Sequence, residues 1–400
     1  MEDWDLIVVG SGPAGSIAAA EAAQAGMKTL ILEKRTLPRH KTCGGGVPVA
    51  LDKIAPDISP DAVAEMRVLH MRHTWRFGDP VLAPINAEGD EENSLALWMV
   101  QRSVFDHHLA LRAVRQGAEL RDALAVSGMD ITETGVTVHI SSGDKKPTLK
   151  AHADFVIGAD GANGVTARYA GLQFPRDIAM AMEAEVPWEY HEGDTILRRD
   201  AIHLEYGAVP YGYAWIFPKA THVNVGAGIF LPQAEKRMKG ASLRDTLIKA
   251  MREYLVSVDV KVDWDRQRIY THPLPLWSGR HPLNTPNGRV LLAGDAAALV
   301  NPLFGDGILH AARSGKIAAE YLARGDGQHY TEAIHEQFAD NFDAARKLAK
   351  FFYQWTGLVY RYGISRPSST HTAARLLCGE ALFTDVAGKA MRRIRAAMRK

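Results

Sequence analysis

The apolar positions of this chain fall into short runs that switch repeatedly between strand and helix periodicity. Residues 5–9 form an apolar strand, a glycine-rich turn follows, and residues 14–25 are alanine-rich and helical. Gly26 ends that helix, and residues 28–32 read as a second buried strand, which completes a β-α-β unit. Residues 45–100 are less regular. The pattern from 103 to 116 is again helical and is closed by Gly117, while 134–140 alternates as a half-buried strand should. A buried strand is predicted over 155–159. Strand-like runs then dominate from 176 to 280, including 214–217 and 222–230. Residues 290–293 form a last buried strand before a helix over 307–323, and the remainder is helical.

This order predicts an α/β protein with a Rossmann-type nucleotide-binding domain built from residues 1–70, 100–175 and 285–330. A mostly antiparallel β-sheet substrate domain, from 71–99 and 176–284, is inserted into it, and residues 331–400 form a C-terminal helical cap. Four hundred residues suit two interleaved cores.

Composition narrows the class. With 46% hydrophobic and 23% charged residues and no apolar run long enough to span a bilayer, a soluble, cytoplasmic protein is expected, and the acidic start Met1-Glu2-Asp3 lacks the basic head of a signal peptide. A net charge of +1 gives no reason to propose a nucleic-acid partner. The two cysteines, Cys43 and Cys378, cannot form a disulfide framework, and no metal site is expected. Charge is uneven at the end of the chain, where Lys389, Arg392, Arg393, Arg395, Arg399 and Lys400 follow an aromatic group comprising Phe351, Phe352, Tyr353, Trp355, Tyr360 and Tyr362. Pocket lining with a solvated basic tail is the favoured reading; peripheral contact with a membrane surface is the alternative.

The first chemical motif is Gly10-Ser11-Gly12-Pro13-Ala14-Gly15, between strand and helix. Gly10 permits the tight turn, Gly12 lets a pyrophosphate approach the backbone, Gly15 lets helix and strand pack, and the helix start offers N–H groups to the anion. Glu33, ending the second strand and followed by Lys34, can accept ribose hydroxyls. Asp295, delivered by a buried strand into a glycine-flanked turn, wants a polyol partner. Gly305, Gly307 and Ile308 open a helix whose N–H groups can stabilise negative charge, and Asp306 reads first as its N-cap.

Four segments resemble the flavoproteins built on the hydroxybenzoate-hydroxylase fold: Arg102-Ser103-Val104-Phe105-Asp106, the strand leading to Val126, Asp154 to Ala162, and Leu291 to Ala297. The resemblance implies FAD as cofactor, with Arg102, the Val126 backbone, Asp160 and Asp295 around it. Two further runs, Lys41-Thr42-Cys43-Gly44-Gly45-Gly46 and Pro210-Tyr211-Gly212-Tyr213-Ala214-Trp215-Ile216-Phe217-Pro218, are similar to the K-x-C-G-G and P-x-x-Y-x-W-x-F-P runs of the geranylgeranyl reductase family. That resemblance covers residues 1 to 330. The sequence departs from the family's usual pattern in a third glycine after Cys43 and in Asp306 where Glu is usual.

The resemblance implies saturation of isoprenoid double bonds by hydride from reduced flavin followed by protonation, with NADPH or ferredoxin supplying electrons. Cys43, Tyr211, Tyr213 and Trp215 are the catalytic candidates, Gly44 and Gly45 belong to the flavin contacts, and the proton donor is left open among Cys43, Tyr211, Tyr213 and water. Cys43 equally reads as a packing residue. Strand alternation puts Tyr213, Trp215 and Phe217 on one face, fit for a pocket wall. Arg198, Arg199, Lys219 and Lys316 read as ordinary solvated charges. A monooxygenase or halogenase on the same fold and a non-catalytic prenyl-binding escort protein are the alternatives; Trp215 and Pro218 alone match the halogenase run W-x-W-x-I-P at its fixed places.

Overall fold

The computed structural model describes residues 2–90, 94–142, 149–191, 196–232, 234, 242–388 and 392. Strand Glu2–Val9 is central, lying parallel to Thr29–Leu32 on one side and to Leu149–Gly158 on the other. Glu119–Arg121 extends this sheet beyond Thr29–Leu32, and Val290–Leu292 joins in parallel against the end of Leu149–Gly158. Two antiparallel strands, Val136–Ser141 and Ala125–Ile131, complete the seven. The unbroken apolar runs over residues 6–9 and 30–32 have a direct cause. Leu6, Val8 and Ile31 pack against helices Pro13–Gln24 and Ile308–Ala323, while Ile7, Val9, Leu30 and Leu32 pack with Val126, Val136 and Val138, so both faces are dry.

The alanines of the first helix also have a structural reason. Pro13–Gln24 and Ile308–Ala323 approach so closely that a Cβ on Gly315 would lie 2.2 Å from the Ala14 carbonyl oxygen. Small residues bring both helix N-termini to the same end of the sheet.

A second seven-stranded sheet runs in the order Tyr270–Leu276, Asp177–Pro187, His222–Ile229, Gly212–Pro218, Ala201–Tyr206, His70–Trp75 and Gly78–Pro84. It is antiparallel apart from the pair Ala201–Tyr206 and His70–Trp75. Gly46–Pro48, Leu97–Val100 and Ala64–Val68 make a small third sheet within the region of irregular pattern. Among the strand-like runs that dominate 176–280 lies helix Leu243–Ser257, which the sequence reading did not single out. Its Ser242 side chain accepts from the Asp245 N–H, and Leu247, Met251, Tyr254 and Leu255 bury one face against the second sheet. The spacing of those residues was a helical signal lying among strand-like runs.

At the C-terminal end, helices Asp340–Gln354 and Pro367–Cys378 close over the second sheet, with Phe342, Ala345, Ala349 and Tyr353 buried. Lys389, Arg393, Arg395, Arg399 and Lys400 lie outside the described residues, and Arg392 is exposed.

Candidate active site

One cavity of about 1040 Å³ runs between the two large sheets and under the C-terminal helices. Every predicted cofactor and catalytic residue lines it except Gly15 and Tyr211. Gly15 lies behind the turn, where its hydrogen faces the Gly10 carbonyl. Tyr211, which is not among the lining residues, forms the hairpin turn before Gly212–Pro218 with φ of 60°, its carbonyl accepting from Phe230 N–H.

At the nucleotide end, Gly12 precedes helix Pro13–Gln24, with Pro13 at a position where a missing N–H costs nothing. Gly10 and Ala14 complete the turn. Glu33 is buried, and its Oε2 accepts from Ser11 N–H at 3.1 Å and Ser11 Oγ at 2.8 Å, with Arg39 Nε at 3.2 Å; Oε1 accepts from Arg35 N–H. Burial alone would raise this carboxyl, but Arg39 and the Ser11 N–H outweigh it and hold it below the ordinary value of 4.5. The contribution is therefore present above pH 4.5 and lost as pH falls through the lower folded value. Glu33→Gln is expected to destabilise the protein by about 1–3 kcal/mol at pH 7, a gap that shrinks on acidification in paired melting curves.

Arg39 is a residue the sequence reading missed. Its Nε and Nη1 are committed to Glu33 and Asp106, which aims Nη2 to within 3.8 Å of the place a Cβ on Gly12 would take. An anion approaching Gly12 meets that guanidinium. Arg102 opens helix Arg102–Arg115, but its guanidinium makes a fork to Asp106 at 2.8 and 2.9 Å. Burial disfavours its charge, yet Asp106 and Cys43 together hold it well above the ordinary arginine value. Val126 stands on the strand beside this end, buried at the cavity wall, with Lys34 exposed.

Asp160 spends Oδ2 on the start of a short helix, accepting from Val165 N–H, Thr166 N–H and Thr166 Oγ1, while its buried Oδ1 has no partner among the described residues. Asp306 does not cap the helix: Gly307 is the N-cap, no side chain caps it, and the Asp306 carboxylate pairs with His310 at 3.0 Å. Its Oδ1 is likewise buried and unpartnered. Asp295 faces a chain of two more groups: His272, which the sequence reading missed, with Nε2 at 4.0 Å, and Lys41, named there only within its motif, with Nζ a further 2.8 Å from that nitrogen. Burial would raise Asp295, but His272 and Lys41 keep it below the ordinary carboxylate range.

These groups fit FAD. A turn open at Gly12 under Arg39 suits a pyrophosphate, and the orphaned acceptors at Asp160 and Asp306 suit the hydroxyl and N–H donors of a polyol and a flavin edge. Gly305, Gly307 and Ile308 present the start of the helix that faces Asp295.

Beyond them lies the loop carrying Cys43. Cys43 N–H donates to Glu183 Oε1 at 2.8 Å, Gly45 N–H points at Cys43 Sγ, and the Trp215 indole N–H donates to Asn224, itself bonded to Glu183. Gly44 packs so tightly on Phe217 that a Cβ there would come within 2.7 Å of the ring. The alternation reading holds: Tyr213, Trp215 and Phe217 all line the cavity, whereas Ala214 and Ile216 face the other core. Tyr213 stacks on Phe230 and its hydroxyl donates to the Phe304 carbonyl at 2.6 Å. Burial raises that phenol far above the range in which it gives up a proton. Tyr213→Phe is accordingly expected to cost about 1 kcal/mol of stability and less than about tenfold in rate; a loss of about 100-fold would restore Tyr213 as the acid.

Of the C-terminal aromatic group, Phe352, Tyr353 and Tyr362 line the cavity, while Trp355 is exposed. Arg198 pairs with Asp200, Lys316 with Glu21, and Arg199 lies over Tyr190, none of them at the cavity. Lys219 is the exception to the solvated reading, being buried beneath the Gly44 loop.

A nucleotide turn, two orphaned carboxylate oxygens and an adjoining apolar chamber define an FAD-dependent oxidoreductase. Residues 3–324 match the FAD binding domain family, and within it the chain belongs to the geranylgeranyl reductases. It is 31% identical over 366 residues to digeranylgeranylglycerophospholipid reductase 3 of Methanosphaera stadtmanae, covering 88% of this chain and 86% of that protein. It is 30% identical to the chloroplastic geranylgeranyl diphosphate reductase of Oryza sativa subsp. japonica, over 86% of this chain and 71% of the plant protein. A geranylgeranyl bacteriochlorophyll reductase-like protein from Thermoplasma acidophilum shares the fold, with a TM-score of 0.75, 24% identity, and coverage of 98% and 96%.

Proposed function

We propose that this protein saturates carbon–carbon double bonds of a geranylgeranyl group. The observation that carries this reading is the continuity of the cavity: the chamber that starts at Gly12 and Asp295 extends into an apolar space between Tyr213, Trp215 and Phe217 on one side and Phe352, Tyr353 and Ile364 on the other. Such a space holds a flexible hydrocarbon and excludes water. Bound FAD, once reduced, supplies the hydride chemistry. The chain's own residues orient the isoprenoid along the aromatic strand and deliver a proton to the second carbon. With Tyr213 tied to Phe304 and Tyr211 outside the cavity, Cys43 or an ordered water is the donor the geometry favours.

NADPH or a reduced ferredoxin is the electron source we assign, and the cytoplasm its location, with Trp355 and the basic C-terminal end as its contact to a membrane surface when the isoprenoid is part of a lipid. No helix of the described residues is long and apolar enough to cross a membrane. The test is product analysis under nitrogen with dithionite, NADPH or reduced ferredoxin as alternative reductants and geranylgeranyl diphosphate or a geranylgeranylated lipid as substrate. Gain of two hydrogens per double bond supports the reading; product formed in oxygen alone, carrying an added oxygen or halogen, overturns it.

A further inference from the structure

We infer that Lys219 is a positioning residue for the loop that carries Cys43, holding it to the second sheet through a buried ammonium. The proposal rests on the reductase reading for its kinetic consequences and on geometry alone for its structural ones. Lys219 is 2% exposed, and its Nζ donates to the Gly44 carbonyl and the Val100 carbonyl, each at 2.8 Å. Neither acceptor is a carboxylate, so a full charge is stabilised by main-chain oxygens of two different segments. Its backbone is fixed in turn, since Lys219 N–H donates to the His222 carbonyl across the hairpin.

The loop is shaped to receive this group. A Cβ on Gly45, whose φ is +73°, would lie 2.7 Å from Nζ and 2.1 Å from the Val100 oxygen, so the ammonium occupies the room a side chain at 45 would take. The neighbouring peptides are held as well: Cys43 N–H by Glu183, and the Gly45 carbonyl by Val100 N–H at 2.8 Å. Glu183 and Lys219 both come from the second sheet, so that sheet grips the loop with one buried acceptor and one buried donor. Moving the loop by an ångström displaces Cys43 and Gly44 relative to Trp215 and Phe217, which is the scale at which reacting groups lose alignment.

The titratable groups facing the ammonium are Cys43, Glu65, Glu183, Glu185 and His222. Burial lowers Lys219 from 10.5 to about 8, partly opposed by Cys43 and the carboxylates. At neutral pH both contacts are charge-assisted. Burying the side chain releases a proton between pH 8 and 10.5, so the desolvation cost of the closed arrangement falls as pH rises through that window.

Three measurements decide it. Lys219→Met should lower kcat at pH 7 by about 10–100-fold with KM for the isoprenoid little changed. Lys219→Arg, which keeps a cation able to donate to both carbonyls, should recover part of the kcat lost in Lys219→Met. Amide exchange at residues 44–46, corrected for intrinsic rates, should be faster in Lys219→Met than in the unmutated protein at the same pH, and this arm needs no substrate. Normal kcat in Lys219→Met, no recovery in Lys219→Arg, or unchanged exchange would each overturn the assignment. Absence of turnover with the expected exchange change would instead count against the reductase reading alone.

Discussion

Gly12→Val should yield a folded protein that purifies without its yellow colour, with FAD bound at least about 100-fold more weakly, a loss of about 2.7 kcal/mol. The ground for expecting a folded product is that an added Cβ at Gly12 meets nothing nearer than Arg39 Nη2 at 3.8 Å, so the polypeptide has room for a side chain there. The cofactor does not, because that room is where the pyrophosphate must come against the helix N–H groups. Gly15 is the opposite case. A Cβ there would sit 1.9 Å from the Gly10 carbonyl oxygen and 3.2 Å from the Ala159 Cβ, so Gly15→Val should fail to give soluble protein. Flavin content and circular dichroism of Gly12→Val, set beside the soluble yield of Gly15→Val, separate the roles. A yellow Gly12→Val protein would show that the pyrophosphate lies elsewhere.

The second large effect is at Asp106. Its carboxylate is fully buried, with Arg102 making a two-pronged contact and Arg39 a third at 3.0 Å. Asp106→Leu leaves two guanidinium groups without their main anion and should destabilise by about 3–5 kcal/mol. Replacing Arg102 by Met in the same protein should recover part of that loss, because one of the stranded charges is gone. Arg39 keeps Glu33 but has lost Asp106, so recovery stays incomplete. Melting temperatures of the two single variants and the double variant measure the coupling; additive losses would mean that Arg102 and Asp106 do not depend on one another. Because Arg39 points Nη2 at Gly12, the same variants should also bind FAD less tightly.

The parts of this architecture governed by local rules were legible in the sequence. The turn at Gly10 to Gly15 needs glycine for steric reasons, and the buried parallel strands need unbroken apolar runs, so both leave a local signature. The aromatic wall was equally visible, since Tyr213, Trp215 and Phe217 share a face by strand geometry alone. What escaped depends on contacts between distant segments. Lys219 reads as a surface charge by type, and its burial follows from the meeting of residue 219 with residues 44 and 100, which no local pattern encodes. The same is true of Lys41 beside His272, 231 positions apart, and of Glu183 under Cys43. Asp306 misled for a different reason. An Asp before a glycine at a helix start suggests a cap, but Gly307 occupies the cap position and leaves the carboxylate to His310. Tyr211 stands at a variable position of the P-x-x-Y-x-W-x-F-P run, whose fixed tyrosine is Tyr213, and it sits at positive φ in the turn before the strand that makes the wall.

The central claim is that hydride and isoprenoid meet in one water-excluded chamber. Its most direct test is a single turnover without oxygen: the FAD-loaded protein is reduced with one equivalent of dithionite, mixed with geranylgeranyl diphosphate in deuterated water, and followed by flavin absorbance and by mass spectrometry of the lipid. The account predicts that the oxidised flavin spectrum returns only when the isoprenoid is added, with two solvent deuteriums carbon-bound in each saturated bond, because dithionite supplies electrons alone and both hydrogens come from water. A flavin that stays reduced until oxygen is admitted, with the lipid unchanged, would contradict it.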